Sequence, residues 1–310
     1  MILRGILTSR FRVAIFFVAL APACWSTTAL GALYVSNGGD GTIKAVSSTG
    51  AVSTYATGLS TPRGLAFDAA NNLYVANNGD STIQKITPGG AMTTFASGLS
   101  GYDLYGVAID SVSGNIFVSA INLSNTSNSA ILEFTPTGTM STFATVPSPG
   151  GLVFDNGHNL FVTHALAGPN GEAEGGINEV SPLGVVTAVV PTGMSDPIGL
   201  ARSAVGDLYA AERAGSMRIL KATTGGSVTT FTTGVTSPYG LTFGTDGRLY
   251  AADFADGQID AVTGTGTVST FATGLSSPRF LTLGPDVPEP GSLALLTAGV
   301  ALLSRASKRT

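Results

Sequence analysis

A short motif of apolar and aromatic residues recurs six times along this chain at a nearly constant spacing. The motif contains Leu or Ile, then an aromatic residue, then Val or Ala, and successive copies begin 40, 43, 44, 48 and 41 residues apart. A fixed period of about 40–50 residues is typical of chains built from repeated supersecondary units. The repeat therefore favours a ring or an array of similar units over an irregular domain. The six copies begin at Leu33, Leu73, Ile116, Leu160, Leu208 and Leu249.

Four strand-like runs surround each copy of the motif. In the clearest unit they cover residues 64–68, 73–77, 82–86 and 91–95, and they are rich in Thr, Val, Tyr and Phe. Asn, Asp, Gly and Pro separate the runs, and tight turns of this kind explain many of the 41 glycines, because glycine adopts positive φ at little steric cost. Four antiparallel strands per unit make one propeller blade, so we predict an all-β, six-bladed β-propeller.

The ends of the repeat region predict how the ring closes. The first unit begins at its second strand, with Leu33, and no run of the first-strand type precedes it. A solitary run of that type follows the last unit. We therefore predict that a strand around residues 278–285 completes the N-terminal blade, which removes the open sheet edges that would otherwise promote aggregation.

Two of the units resemble NHL repeats. Residues 63–68, followed by 72–77, carry one resemblance, and residues 238–243 with 246–253 carry a second. The resemblance extends over residues 32–286 and implies the propeller fold. It implies no single function, because propellers of this kind serve as binding platforms, as lactonases and as lyases.

The N-terminal segment has the pattern of a secretory signal peptide. Basic residues precede the apolar run 13–22, and small residues follow it, as in segments that are cleaved after export. We assign residues 1–31 to this signal and expect its apolar run to be helical.

The C-terminal segment, residues 287–310, resembles the PEP-CTERM sorting signal. The segment begins with a Val-Pro-Glu-Pro motif. A short apolar run, which we expect to be a helix, follows the motif, and a basic tail follows the apolar run. The resemblance implies export in a Gram-negative bacterium, transient association with the inner membrane or periplasm, processing by an exosortase, and final placement at the cell surface or in the extracellular matrix. The residues that carry it are Val287, Pro288, Glu289, Pro290 and Arg305.

Between the two ends the chain is acidic. Residues 32–286 contain nine basic and 18 acidic residues, a formal charge of −9. Nucleic-acid-binding proteins concentrate basic residues on one face, so we predict no nucleic-acid partner. The single cysteine, Cys24, lies in the signal segment, so the propeller itself has no thiol with which to form a disulfide or attack a substrate.

One face of the predicted ring collects the residues that are candidates for binding. The loops after the second strands and the loops before the first strands meet on this face, and loops on a rigid scaffold commonly carry function. Two longer segments, 120–129 and 164–176, also lie there. We predict a ligand-binding face that contains Asn37, Asn77, His164, Glu212 and Asp253 at the second-strand ends, with Arg63, Tyr105, Tyr239 and Arg279 at the first-strand starts.

Two functions fit these residues. The first is non-enzymatic binding of a glycan, a peptide or a matrix component, with no catalytic residue and no cofactor. The second is a metal-dependent, gluconolactonase-like lactonase or a streptogramin-lyase-like enzyme. In that alternative, His164, Glu212 and Asp253 hold one divalent cation such as Ca²⁺ in the central channel or act as acid and base.

The residue pattern favours the first function. Gluconolactonase-like propellers carry an early Glu-Gly-Pro and Trp signature, and lyase-like ones carry repeated Trp in the second strands with a catalytic His. Residues 32–286 contain no Trp, and their first Glu is Glu133. We therefore predict an exported binding module.

Overall fold

The computed structural model describes residues 31–167, 173–223 and 225–286. They form 24 β-strands in six four-stranded sheets, with two short 3-10 turns at Asn78–Asp80 and Thr126–Asn128. The predicted signal peptide, the sorting signal and both terminal helices lie outside the described residues. Within the described ranges, no helix is long and apolar enough to cross a membrane.

Each sheet is one antiparallel blade, in which the first strand is the innermost and the fourth is the outermost. Blade 1 contains β24 (Pro278–Gly284), β1 (Ala32–Asn37), β2 (Thr42–Val46) and β3 (Val52–Ala56). Blade 2 contains β4 (Pro62–Phe67), β5 (Leu73–Asn77), β6 (Thr82–Ile86) and β7 (Met92–Ala96). Blade 3 contains β8 (Tyr102–Ile109), β9 (Ile116–Asn122), β10 (Ala130–Phe134) and β11 (Met140–Thr145). Blade 4 contains β12 (Pro149–Phe154), β13 (Leu160–Ala167), β14 (Ala173–Val180) and β15 (Val186–Ser195). Blade 5 contains β16 (Pro197–Arg202), β17 (Leu208–Glu212), β18 (Ile219–Ala222) and β19 (Val228–Thr232). Blade 6 contains β20 (Pro238–Phe243), β21 (Leu249–Asp253), β22 (Gln258–Val262) and β23 (Val268–Thr273).

The predicted ring closure is confirmed. Strand β24 pairs antiparallel with β1, with Leu33 opposite Leu283 and Asn37 opposite Pro278. The first strands of neighbouring blades contact one another all the way round, including β20 with β24 and β24 with β4. The six-bladed, all-β fold predicted from the repeat is therefore the observed one.

The aromatic residue of the repeated motif packs between adjacent blades. The ring centroid of Tyr34 in β1 lies 4.8 Å from that of Tyr55 in the same blade and 4.7 Å from that of Phe67 in blade 2, both edge-on. Tyr209 in β17 makes the same pair of contacts with Phe231 and Phe243. Edge-to-face pairs of this kind add to the stabilisation from burial, so the motif repeats because each blade uses it to bind the next.

A second group of glycines is required by the centre of the ring rather than by turns. Five of the six first strands carry glycine where the neighbouring first strand comes closest. A Cβ atom on Gly64 would overlap the carbonyl oxygen of Tyr105, and one on Gly199 would overlap that of Tyr239. These positions therefore need glycine for close backbone approach. The five residues are Gly64, Gly106, Gly151, Gly199 and Gly240.

A glycine substitution tests this packing. We expect Gly199→Ala to lower the free energy of unfolding by at least about 1–3 kcal/mol, because the added methyl group forces two first strands apart. Gly264→Ala is the matched control, since its added methyl group meets no atom within 4 Å. Chemical denaturation of both variants measures the difference. Equal stability of the two variants would contradict close packing at the ring centre.

Candidate functional site

The loops from the second to the third strands and the loops that enter the first strands form the upper face of the ring. Four of the five predicted second-strand residues hold these entering loops in place on that face. In each case the side-chain oxygen accepts a hydrogen bond from a backbone N–H close before the first strand of the same blade. The bonds are Asn37 from Ser276 (2.6 Å), Asn77 from Ser60 (2.6 Å), Glu212 from Ser195 (2.8 Å) and Asp253 from Thr236 (2.8 Å).

His164 has the equivalent place in blade 4 but not the bond. It lies opposite Pro149, as Asn77 lies opposite Pro62. The residue that would donate to it is Pro147, which has no N–H. The Nδ1 atom of His164 is buried and has no hydrogen-bond partner among the described residues. Burial lowers the pKa of His164, because it disfavours the charged form of the ring.

Glu212 and Asp253, the two acidic residues among the five at second-strand ends, are buried. Their carboxylate oxygens accept hydrogen bonds from groups of their own blades. The second oxygen of Glu212 accepts from Arg218 Nε at 2.6 Å. Asp253 also accepts from the backbone N–H groups of Ser237 and Asp256. Within residues 31–167, 173–223 and 225–286, no three His, Cys, Asp or Glu side chains are grouped so that they could hold a metal ion. The structure thus gives each of these two carboxylates a loop-holding bond and does not bring His164, Glu212 and Asp253 together as one ligand set.

A third buried carboxyl group accompanies Asp253 in blade 6. Asp260 is 2% exposed and accepts a hydrogen bond from Gln258 Nε2 at 3.0 Å. Burial, reinforced by the charges of Asp253 and Asp256, raises the pKa of Asp260 to about 6, although the bond from Gln258 opposes this. Blade 6 thus includes a carboxyl group that changes charge close to neutral pH.

The predicted arginine and tyrosine residues pair up around the centre of the upper face. The guanidinium of Arg63 lies 4.1 Å from the ring centroid of Tyr105, and that of Arg279 lies 5.6 Å from the centroid of Tyr239. Phe280, which replaces the glycine of the other first strands, packs edge-on against Tyr239 at 5.6 Å. Tyr105, Tyr239 and Phe280 are all buried and belong to one hydrophobic cluster, which we call the aromatic layer.

Below this layer the channel continues as a cavity of about 310 Å³ that all six first strands line. Its lining is largely Leu, Val, Ala and glycine backbone, and among the described residues Arg202 is the one charged residue in it. This lower cavity contains none of the nine residues predicted for the binding face, all of which the structure describes.

Above the layer, and off the ring axis, lies a second cavity of about 280 Å³, which we call the upper cavity. It is bounded by blades 3, 4 and 5. Tyr105 is the one predicted site residue in its wall, and three charged residues that the sequence analysis did not select also line it. Those three are Asp103, Asp196 and Arg213.

The charged residues of the upper cavity are tied into ion pairs. Asp196 Oδ2 lies 2.6 Å from Arg213 Nη2, and Asp103 Oδ2 lies 3.0 Å from Arg63 Nη1. Burial raises the pKa of the Tyr105 hydroxyl, and the positive charge of Arg63 works against this rise. The cavity is therefore polar and close to neutral overall, with an aromatic wall.

The sequence did contain a signal for Asp196. The residue before the first-strand proline is Thr61, Ser148, Ser237 or Ser277 in four blades and Asp196 in blade 5. In blade 3, where Leu104 replaces the proline, the equivalent residue is also acidic, Asp103. A residue that departs from the consensus of the repeat thus indicated the cavity. The recurring polar residues at the second-strand ends did not, because they hold the entering loops.

Comparison with known proteins identifies the C-terminal segment and finds other proteins with this fold. The PEP-CTERM protein-sorting motif matches residues 286–309, which confirms the resemblance found for that segment. No curated protein shows a significant sequence match.

Solved structures resemble the ring at low sequence identity. A chain of a nidogen/laminin complex has a TM-score of 0.71 at 18% identity, over 82% of this chain and 98% of that chain. Virginiamycin B lyase from Staphylococcus aureus has a TM-score of 0.60 at 18% identity, over 83% and 89%. A gluconolactonase from Xanthomonas campestris has a TM-score of 0.60 at 15% identity, over 72% and 83%. At these identities the likeness shows the fold alone.

A substitution at one second-strand end tests its loop-holding role. We expect Asn77→Ala to lower the free energy of unfolding by about 1–3 kcal/mol, because it leaves the Ser60 N–H buried without its acceptor. Asn128→Ala, at an exposed position in a 3-10 turn, is the control and should be nearly neutral. Urea denaturation measures both. A neutral Asn77→Ala variant would show that the bond does not stabilise the loop.

Asp260 predicts a pH dependence of stability. Because its pKa is raised in the folded protein, the protonated form stabilises the fold fully below about pH 4, and this contribution is lost as the pH rises through about 6. A shift of this size corresponds to at most about 3 kcal/mol. We expect Asp260→Asn to flatten the profile between about pH 4.5 and 7.5 and to be more stable than the wild type at the upper end of that range, by denaturant unfolding. Asp207→Asn, which alters a surface pair with Lys221, should leave the slope unchanged.

Proposed function

We propose that this protein is an exported, exosortase-processed propeller that binds a ligand on its upper face and performs no chemistry on it. The observation that carries the proposal is the upper cavity. Three charged side chains and a tyrosine line this recess, whereas the acidic second-strand residues are buried in bonds to their own loops. Such a recess supports recognition by hydrogen bonding.

The sorting motif supports the exported part of the proposal. PEP-CTERM signals imply processing by an exosortase and export to the envelope or surface of Gram-negative bacteria, and this motif begins directly after the ring. Strand β24 ends at Gly284 opposite Ala32, so both the N-terminal and the C-terminal segments leave from the lower face of blade 1. The point at which the sorting segment joins the ring therefore lies on the side opposite the upper face.

The chemical groups on the upper face support binding rather than catalysis. His164 is buried, and the carboxylates of Glu212 and Asp253 are directed to backbone N–H groups. A general acid or base must come within hydrogen-bond reach of the substrate. These three residues would need to leave their present positions in order to do so.

The test compares binding with turnover on the purified propeller. Immobilised neutral, acidic and basic polysaccharides and a peptide library are probed for binding, and a lactone and a streptogramin B are incubated with the protein for product formation. We expect retention on at least one polymer class and no product. Turnover that is abolished in His164→Ala, with the melting temperature unchanged, would instead establish the lactonase or lyase alternative.

A further inference from the structure

We propose that the upper cavity is a sugar-binding site that takes one unit of a neutral, hydroxyl-rich saccharide. Asp103, Asp196 and Arg213 supply its polar contacts. This inference rests on the proposed binding function, and it specifies the position of the site and the chemical class of the ligand.

The first argument is where the repeat breaks down. Four blades follow one pattern closely, but the segments 120–129 and 164–176 lengthen blades 3 and 4 on the upper face. Thr126, from the segment that lengthens blade 3, lines the upper cavity, and so does Ala165, which occupies in blade 4 the repeat position that Arg213 has in blade 5. An addition to the repeat in blade 3 therefore contributes to the wall of this cavity.

The second argument is the pattern of unused hydrogen-bonding atoms. Both N–H contacts from Arg213 go to Asp196 Oδ2, and Arg63 binds Asp103 through Oδ2. Among the described residues no donor hydrogen-bonds to Oδ1 of either aspartate. Each ion pair thus fixes one carboxylate oxygen of a cavity-lining residue and leaves the other oxygen as an acceptor. Paired hydroxyl groups of a sugar are donors and acceptors at the spacing that such carboxylate and guanidinium groups bind.

The third argument is charge. The two aspartates are balanced by Arg63 and Arg213, so the cavity carries no net charge to attract an ion. An anionic or cationic ligand would bring a charge that this balanced set of side chains does not compensate. A neutral ligand avoids this cost, so the site discriminates against charged saccharides.

The fourth argument is the apolar part of the wall. Tyr105, Ile121 and Ile198 line the cavity beside the polar groups, and Tyr105 is held in place by Arg63 at 4.1 Å. The C–H faces of a sugar ring pack on such surfaces while its hydroxyl groups remain at the carboxylates. A volume of about 280 Å³ is at the lower limit of ligand pockets, which suits a single sugar unit at the end of a longer chain.

The experiment measures saccharide binding by calorimetry on the full propeller and on two cavity variants. The probes are a neutral trisaccharide set of maltotriose, cellotriose and mannotriose, with trigalacturonate as the acidic probe and chitotriosamine as the basic one. We expect at least one neutral probe to bind more tightly than both charged probes. Asp196→Asn should weaken that binding about tenfold, which corresponds to the loss of one charged hydrogen bond.

The second variant and the control separate the site from the fold. Thr126→Trp places a large side chain at the cavity rim from an exposed 3-10 turn, so it should block binding without disturbing the ion pairs. Asp246→Asn alters an Asp–Arg pair of similar exposure on the lower face and should leave affinity unchanged.

The outcomes are distinguishable. If a neutral probe binds but both cavity variants bind it as the wild type does, the site assignment is overturned and the proposed function stands. If a charged probe is preferred, the charge argument is overturned. If neither saccharides nor peptides bind, the proposed function itself fails.

Discussion

The pairing of β24 with β1 is the constraint on which the rest of this structure depends. It joins residues that are about 250 positions apart in the chain and turns six blades into a closed ring. Closure brings six first strands so close together that five of them carry glycine at the point of contact. It also places Ala32 and Gly284, where β1 begins and β24 ends, opposite each other at the lower face of blade 1.

Closure of the ring also explains why the polar residues at the second-strand ends stabilise loops. Every blade must return its chain from the outer strand to the next first strand across the upper face, and the entering loop has backbone N–H groups that need acceptors. A polar residue at the end of the second strand is within reach of that loop. Asn77, Glu212 and Asp253 differ in charge but form the same bond, so repetition here reports a shared backbone requirement.

The contacts that are particular to this propeller come from residues that depart from the repeat. Phe280 in place of glycine packs edge-on against Tyr239 at the ring centre, and Asp196 in place of Ser or Thr introduces a charge beside the entering loop. His158 lies in a lower-face turn of blade 4, and its Nδ1 atom is 2.6 Å from Asp110 Oδ1 of blade 3. This contact links the two blades on the lower face. Each departure changes one contact while the ring is retained.

The amino-acid sequence alone determined the blade count, the strand order, the closing strand and the sorting segment, because these depend on periodicity and on local residue patterns. It also placed the nine candidate residues on one face. Only the tertiary structure decided what those side chains contact: that Asn37 binds Ser276, that Tyr239 lies under Arg279, and that Asp103 and Arg213 line one cavity. The physical reason is that a period specifies which residues are equivalent between blades, whereas a hydrogen bond or a cavity depends on the positions of atoms that come from different blades or distant loops.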